Sequence, residues 1–152
     1  VDWSGAGDVQ SEPLDVLAAD VPMPICGLKV DAEGSDYRVL RGATWVLSQV
    51  DAVMVEFDPE SLKAQGVPSP RIFTSLLAGF SLYYIVMTSE KGVLPVRVAL
   101  RPITAGDPCS AESWDSFNHS LWSETGSRNI LASRRLFFER GGGLPWVSLD
   151  SV

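Results

Sequence analysis

The composition of this chain is that of an ordinary globular protein. Its 152 residues are a typical length for one domain, and 45% hydrophobic against 20% charged residues exclude wholesale disorder. Acidic residues outnumber basic ones by 19 to 12, which gives a formal net charge of −7. This surplus disfavours nucleic acid and anionic membranes as partners, because both are bound by clustered Lys and Arg. A small neutral or cationic ligand remains open.

Few side chains are suited to metal binding or nucleophilic catalysis. Cys26 and Cys109 lie far apart and show neither a disulfide framework nor a zinc spacing, which predicts two reduced thiols, with Cys26 in the core. His119 is the only histidine, so a serine-histidine hydrolase is disfavoured. The longest apolar stretch, residues 76–87, is shorter than the ~20 residues that span hydrocarbon. With no recognisable targeting signal, these features predict a cytoplasmic protein.

The first predicted elements are a loop-rich lead-in and a strand. Residues 1–24 are rich in Asp, Gly, Ser and Pro, with one possible helical turn at 14–18. The chain begins at Val1 without an initiator methionine, so we expect a fragment or a processed chain. The apolar run 25–31 then predicts a strand buried on both faces, as in a parallel sheet. Lys29 is its one misfit: we expect it to pair with a carboxylate in a central strand, the alternative being that it reaches solvent at a sheet edge.

A helix is predicted after the loop that follows this strand. Apolar residues recur at helical spacing, with Ser35 as a natural N-cap and Asp36 in the first turn. Gly42 lowers the stability of a helix by about 1 kcal/mol relative to Ala, which is not expected to break it. The predicted buried stripe consists of Leu40, Ala43, Leu47 and Val50.

The next elements repeat the pattern and indicate the fold class. A second strand is predicted over 52–57, a helix from Ser69-Pro70 to Gly79, and a third strand over 82–86. Strand, helix, strand, helix and strand with short connections predict an α/β doubly wound sheet.

The signal weakens beyond Thr88. It allows a strand or an extended arm over 93–100, short strands at 130–132 and 136–138, and a tail from Gly141. A short amphipathic helix is predicted from the spacing of Trp114, Phe117, Leu121 and Trp122. We therefore expect a main domain over 25–133 and a C-terminal strand or tail over 134–152.

Carboxylates follow both central strands of the predicted sheet. Asp31 and Glu33 follow the first strand, and Glu56 and Asp58 end the second. Ligands of open α/β sheets bind beyond the carboxyl ends of the strands, so neighbouring strands would bring these acids into one crevice. Such crowding raises at least one pKa and can create a general base or a metal site, although acids there also serve as helix caps or solvated loop residues. Gly34 permits either a tight turn or a close approach to a ligand.

These segments together resemble the FkbM-type methyltransferases. The stretch Leu28-Lys29-Val30-Asp31-Ala32-Glu33-Gly34-Ser35-Asp36, followed by Val39-Leu40-Arg41-Gly42-Ala43, is similar to the family's core motif. Val53-Met54-Val55-Glu56-Phe57 is similar to its next strand, which also ends in glutamate. Residues 14–17 resemble a Leu-Asp element that precedes the motif, and 129–132 resemble the closing strand. The resemblance covers residues 14–87 and extends weakly to about 133.

The resemblance implies a class I, Rossmann-like methyltransferase that uses S-adenosyl-L-methionine to methylate a hydroxyl of a sugar or other small molecule. It implies the C-terminal half of a seven-stranded sheet, strands 4 to 7, with the last strand antiparallel. No Gly-x-Gly-x-x-Gly loop occurs in the chain, so we expect it to be inactive in isolation. By position, Asp31, Glu33 and Glu56 would be catalytic, while Asp31 and Gly34 would contact the cofactor. No metal ligand is assigned.

Two other functions remain open from the residues alone. One is a metal-dependent phosphohydrolase that holds a divalent cation with Asp31, Glu33, Glu56 and Asp58. The other is a non-catalytic module that docks through an exposed sheet edge. For the methyltransferase, the expected partner is a small-molecule hydroxyl acceptor, with no nucleic acid and no membrane.

Overall fold

A computed structural model describes residues 11–22, 24–89, 96–119 and 129–134. In these ranges one sheet is formed by β1 (Gly27–Val30), β2 (Ala52–Glu56), β3 (Ser81–Ser89), β4 (Val96–Pro102) and β5 (Asn129–Ser133), in the order β1-β2-β5-β3-β4. The α-helices are α1 (Leu14–Leu17), α2 (Asp36–Arg41), α3 (Thr44–Gln49), α4 (Pro59–Ala64) and α5 (Pro70–Ser75), and a 3-10 helix covers Pro108–Ser110.

The sheet is mixed rather than wholly parallel. β1 and β2 are parallel neighbours joined through α2 and α3, as the strand-helix-strand pattern predicts. β3 is not the next strand in the sheet, because β5 lies between β2 and β3 and runs antiparallel to both. β4 follows β3 antiparallel, so residues 96–100 of the segment predicted as a strand or an extended arm lie in a strand.

β1 lies at one edge of the described sheet, so the prediction of burial on both faces is wrong. Gly27 and Lys29 are exposed, Leu28 is half-buried and Val30 is buried, which is the alternation of a strand covered on one face. The predicted pairing of Lys29 is confirmed, since its ammonium donates to Asp31 at 2.8 Å. This hydrogen bond raises the pKa of Lys29 above its ordinary value.

The single helix predicted after β1 is in fact two short helices with a break at Gly42-Ala43. Its apolar stripe is nevertheless buried as predicted. The break coincides with a contact to the lead-in: Asp15 N–H donates to the Gly42 carbonyl at 2.9 Å, and a Cβ at Gly42 would lie 3.2 Å from Pro13 Cα. The close approach of this distant segment, rather than the intrinsic helix propensity of glycine, accounts for the break.

Asp15 caps the second of these helices from outside. Its carboxylate accepts from the backbone N–H groups of Trp45 and Val46, each at 2.9 Å. These are donors that an N-cap side chain normally satisfies, but Ala43 occupies the N-cap position of α3 and has no polar side chain. The Leu-Asp element therefore joins the lead-in to the helical layer.

Replacing Asp15 by Ala is expected to lower the free energy of unfolding by about 1–2 kcal/mol, because two N–H groups lose their acceptor. Urea unfolding measures this loss, and Asp15→Asn, which retains an acceptor, should lose less. Asp20→Ala is the matched control, since Asp20 is an exposed acid of the same segment. Equal losses in Asp15→Ala and Asp20→Ala would contradict the capping role.

The core lies between the sheet and the helices. Val53, Val55, Ile130 and Ala132 of the two central strands are fully buried. Phe57, directly after β2, packs edge-on against Phe73 of α5 with the ring centroids 5.4 Å apart. Phe117 completes this aromatic cluster at 6.3 Å from Phe57. The cluster ties α5 and the segment 111–119 to the end of β2.

The two cysteines are free thiols, but the prediction that Cys26 lies in the core is wrong. Cys26 is exposed, because it precedes the edge strand β1, whereas Cys109 is buried in the 3-10 helix. Its sulfur lies 3.0 Å from the Tyr84 hydroxyl. Burial raises the pKa of Cys109 to about 11, and burial also raises the pKa of Tyr84.

The Cys109 thiol makes stability depend on alkaline pH. Its ordinary pKa is 9.0, so above that pH the unfolded chain loses this proton before the folded chain does. The free energy of unfolding should therefore fall between about pH 9 and about pH 11, by at most about 1.4 kcal/mol per pH unit for this thiol. Urea unfolding across this range should give a smaller slope for Cys109→Ala than for the exposed-thiol control Cys26→Ala. Identical slopes would contradict the assignment.

Several predictions meet other outcomes in the structure. The predicted helix does not include Trp114, which lies in a bend, or Phe117, which lies in irregular structure; His119 is helical, and Leu121 and Trp122 lie outside the described residues. The strand at 136–138 and the tail from Gly141 also lie outside them. The domain boundaries 1–24, 25–133 and 134–152 stay predictions. In the described ranges, no helix combines the length and the apolar character needed to cross a membrane.

Candidate active site

The carboxyl ends of β1 and β2 meet at one edge of the sheet. The register pairs Val30 with Val55, so Asp31 and Glu56 follow at equivalent positions on adjacent parallel strands. Adjacent strands lie about 4.8 Å apart, so the two residues are close along the sheet edge. The prediction that these strands are neighbours is confirmed.

The acids at this edge differ in exposure and in partners. Asp31 is bound to Lys29, and its side chain is 48% exposed. Glu33 is exposed and adopts a left-handed backbone conformation, with φ of 46°. Glu56 is half-buried at the end of β2, opposite Asn129 of the antiparallel strand β5. Glu56 is thus the most enclosed of these three acids.

Asp58 has a structural role instead. It is the N-cap of α4, where its carboxylate accepts from the Glu60 N–H at 3.3 Å and from the Ser61 hydroxyl at 2.5 Å. Asp-Pro at the start of a helix is a recognisable N-terminal signal, and it could have located α4 from the sequence. Glu60 is exposed in the first turn of this helix.

The four acids do not form one metal-binding group. Among the residues that the structure describes, no cluster of three or more His, Cys, Asp or Glu side chains could hold a metal ion. The expectation that all four carboxylates surround a cation is wrong, because Asp58 turns to its own helix and Asp31 to Lys29. The geometry therefore does not favour the phosphohydrolase.

Asp36, which was predicted to interact with the dipole of the following helix, instead stabilises the loop after β1. Asp36 is buried, and its carboxylate accepts from the Ala32 N–H at 3.3 Å. Ser35 occupies the N-cap position, but its side chain makes no cap hydrogen bond. Asp36 thus closes the turn that carries Glu33 and Gly34.

Gly34 is required by the turn and by the packing of α4. Its φ is 88°, in the left-handed region, and a Cβ there would lie only 2.8 Å from Ser61 Oγ. Gln65 Nε2 donates to the Gly34 carbonyl and, at 3.1 Å, to the Ser61 carbonyl. Gly34 thus makes its close approach to α4. Gln65, which the sequence pattern did not reveal, holds the Gly34 carbonyl in place.

Gly34→Ala is expected to destabilise the protein more than Gly66→Ala. Both glycines have positive φ, and a side chain in that conformation costs about 1–2 kcal/mol. A Cβ at Gly66 meets nothing within 4 Å, so the overlap with Ser61 should add about 1 kcal/mol or more at Gly34 only. Urea unfolding compares the two variants, and Gly34→Ala should cost less in a Ser61→Gly background than in the unaltered chain. Equal losses would show that Ser61 does not constrain the loop.

The segment 111–119 packs on the outer side of α4. Trp114 Nε1 donates to the Val67 carbonyl at 2.6 Å, and the Lys63 ammonium lies 5.3 Å from the centre of a Trp114 ring. His119 is exposed, with Nε2 3.5 Å from Lys63 Nζ. Phe117 of this segment packs against Phe57, the residue that follows Glu56.

A family model described as the methyltransferase FkbM domain matches residues 3–80, about half of the chain. The chain belongs to the FkbM methyltransferase family. The match starts earlier than residue 14, where the resemblance began, and ends just before β3. Comparison with curated proteins and with solved structures gave no significant match.

The matched region of this FkbM methyltransferase domain contains the elements that carry the predicted site residues. It includes β1, β2 and the helices α2 to α5, and hence Asp31, Glu33, Gly34 and Glu56. The mixed five-stranded sheet of the described residues is compatible with an α/β methyltransferase-like fold. Membership in the family indicates methyl transfer as the general activity.

Proposed function

We propose that this chain carries the carboxyl-edge half of a site for S-adenosyl-L-methionine-dependent methyl transfer to a hydroxyl of a sugar or other small molecule. The observation that carries the proposal is the parallel register of β1 and β2, which sets Asp31 beside Glu56 in a chain of the FkbM family. Asp58 and Glu60 have the other roles expected of acids at strand ends, since Asp58 caps α4 and Glu60 is solvated.

The residues of this edge fit one end of the cofactor. S-adenosylmethionine has a positively charged sulfonium and amino group, and the edge offers three carboxylates, Asp31, Glu33 and Glu56, of which Asp31 directly follows β1. When bound, the cofactor supplies an electrophilic methyl group. Asp31 and the backbone at Gly34 would hold its methionine end, while the chain has no Gly-x-Gly-x-x-Gly loop for the adenosine end.

The acids of the chain would act on the acceptor. Methyl transfer requires an acceptor oxygen aligned with the methyl carbon and, for a hydroxyl, a group that takes its proton. Glu56 is half-buried at the strand end, which suits an acceptor-facing base, and Glu33 on the exposed turn would orient a second hydroxyl. The proton would move from the acceptor oxygen to a carboxylate oxygen of Glu56.

The biological setting is part of the same proposal. We infer that the chain works within a larger catalytic domain, that the isolated chain is inactive and that the whole acts in the cytoplasm. The missing glycine-rich loop supports the first two points, and the two cysteines without disulfide spacing support the third. The acceptor is the only partner proposed.

The test is transfer of a tritium-labelled methyl group from S-adenosylmethionine to a panel of sugars and small hydroxyl compounds. The intact protein that contains this chain should produce a labelled methyl ether that resists mild alkali. Label found only in an alkali-labile ester would contradict hydroxyl methylation. Hydrolysis of a phosphate ester that does not depend on S-adenosylmethionine and is abolished by a chelator would favour the phosphohydrolase instead.

A further inference from the structure

A cavity lies at the edge of the sheet opposite to the one that carries Asp31 and Glu56. It has a volume of about 440 Å³ and lies between α2, α3 and the turn from α5 to β3. This is the amino edge, because Ser133 at the end of β5 pairs with Ala52 and Ser81, the first residues of β2 and β3. The cavity is within the size range of small-molecule sites, about 300–1,000 Å³.

The charge of the cavity is opposite to that of the chain. Arg41 and Arg134 line it, and no acidic side chain of the described residues does so, although the chain has a net charge of −7. The Arg41 guanidinium lies 5.7 Å from the centre of the Tyr37 ring. Two lining arginines without a lining carboxylate favour an anionic ligand.

The Arg134 guanidinium is held in a defined orientation. Nε donates to the Val50 carbonyl at 3.0 Å and Nη2 to the Leu47 carbonyl at 2.8 Å, while the guanidinium carbon lies 4.4 Å from the centre of the Phe80 ring. These contacts satisfy carbonyls at the end of α3. They use two of the three guanidinium nitrogens, and Nη1 makes no hydrogen bond to the described residues. A fixed donor of this kind binds an anion with little loss of side-chain entropy.

The floor of the cavity is apolar and its rim is polar. The apolar side chains that remain open to solvent are Leu76 and Phe80, both half-buried, whereas Leu40 and Leu47 are almost fully buried. The hydroxyl residues Thr44 and Ser48 are exposed. An inorganic anion would leave this floor in contact with water, whereas a hydrocarbon body would cover it.

We propose that this cavity binds a small amphiphilic anion, with its charged head at Arg41 and Arg134 and its hydrocarbon body against Leu76 and Phe80. The site is independent of the proposed methyl transfer, because it lies at the other edge of the sheet and shares no residue with it. It makes the chain a binding protein for an organic acid as well as part of a methyltransferase.

The test is titration of the full chain with octanoate, followed by backbone amide shifts in nuclear magnetic resonance. Saturable shifts should localise to Thr44, Ser48 and Ser75, which line the cavity. Arg41→Gln should weaken binding about tenfold, as expected for one charge-assisted hydrogen bond. Arg38→Gln is the matched control, since Arg38 is an exposed arginine of the same helix that does not line the cavity, and it should bind as the unaltered chain does.

Two further probes separate the contributions of head and body. Octanamide, which is uncharged, and inorganic phosphate, which has no hydrocarbon body, should each bind much more weakly than octanoate. Binding of octanamide equal to that of octanoate, equal binding of phosphate, or an unchanged affinity in Arg41→Gln would each overturn the proposal. Because none of these readouts involves methyl transfer, they are decided separately from the proposed activity.

Discussion

Replacing Glu56 by Gln is expected to reduce the rate constant of methyl transfer by a factor of about 10² to 10⁴, the usual contribution of a positioned general base. Gln has nearly the same shape as Glu but cannot accept the acceptor's proton. Glu56 is half-buried at the end of β2, beside the position of Asp31, and is more enclosed than the exposed Asp31 and Glu33. The measurement is the single-turnover rate of the intact protein with labelled cofactor and saturating acceptor.

Glu60→Gln is the matched control for this experiment. Glu60 is an exposed acid a few residues further along, and its ion pair with Lys63, with 3.3 Å between Nζ and Oε1, contributes little at the surface. It should leave the rate unchanged. Asp31→Asn should weaken cofactor binding more than it slows the chemical step. Undiminished transfer in both Glu56→Gln and Asp31→Asn would remove these acids from the chemistry.

Phe57→Ala is expected to lower the free energy of unfolding by about 3–5 kcal/mol, the range for removing a large buried aromatic side chain. The Phe57 ring is fully buried between Phe73 and Phe117. Its loss leaves a cavity and removes the favourable edge-to-face contact with Phe73. Because total stability of a domain is about 5–15 kcal/mol, this change alone can unfold a large fraction of the molecules. Urea unfolding monitored by circular dichroism measures it.

Phe57→Leu is the control, because it keeps most of the apolar volume and should cost about 1 kcal/mol. A change of the same chemistry outside the cluster is Phe80→Ala, where the ring is only half-buried and the loss should be smaller. If Phe57→Ala were no more destabilising than Phe80→Ala, the aromatic cluster would not be the link between β2, α5 and the segment 111–119.

The helix that follows β1 shows how far the pattern reaches. The spacing of its apolar residues correctly identified the buried stripe, because a helical repeat is a property of neighbouring residues. It did not reveal the break at Gly42. That break coincides with hydrogen bonds that the Asp15 carboxylate accepts from the backbone of Trp45 and Val46. Asp15 lies some 30 residues away in the sequence, so no local helix propensity contains that information.

The candidate site shows the same division between local and long-range information. The apolar runs that end in acids predicted two neighbouring strands, and their parallel register is confirmed. The structural role of each individual acid could not be predicted from the sequence in this way. Asp58 is a helix cap and Asp36 closes a loop, and both roles depend on backbone N–H groups whose positions only the folded chain defines.

Sequence alone therefore determined the α/β class and the strand ends that bear the acids, since these follow from short-range periodicity and from residues adjacent along the chain, and its motifs resembled those of the family. Tertiary structure decided the insertion of β5 between β2 and β3, the contact of Gly34 with Ser61 and the cavity lined by Arg41 and Arg134. Each of these brings together residues that are distant in the chain, and their proximity results from packing the whole sheet against its helices.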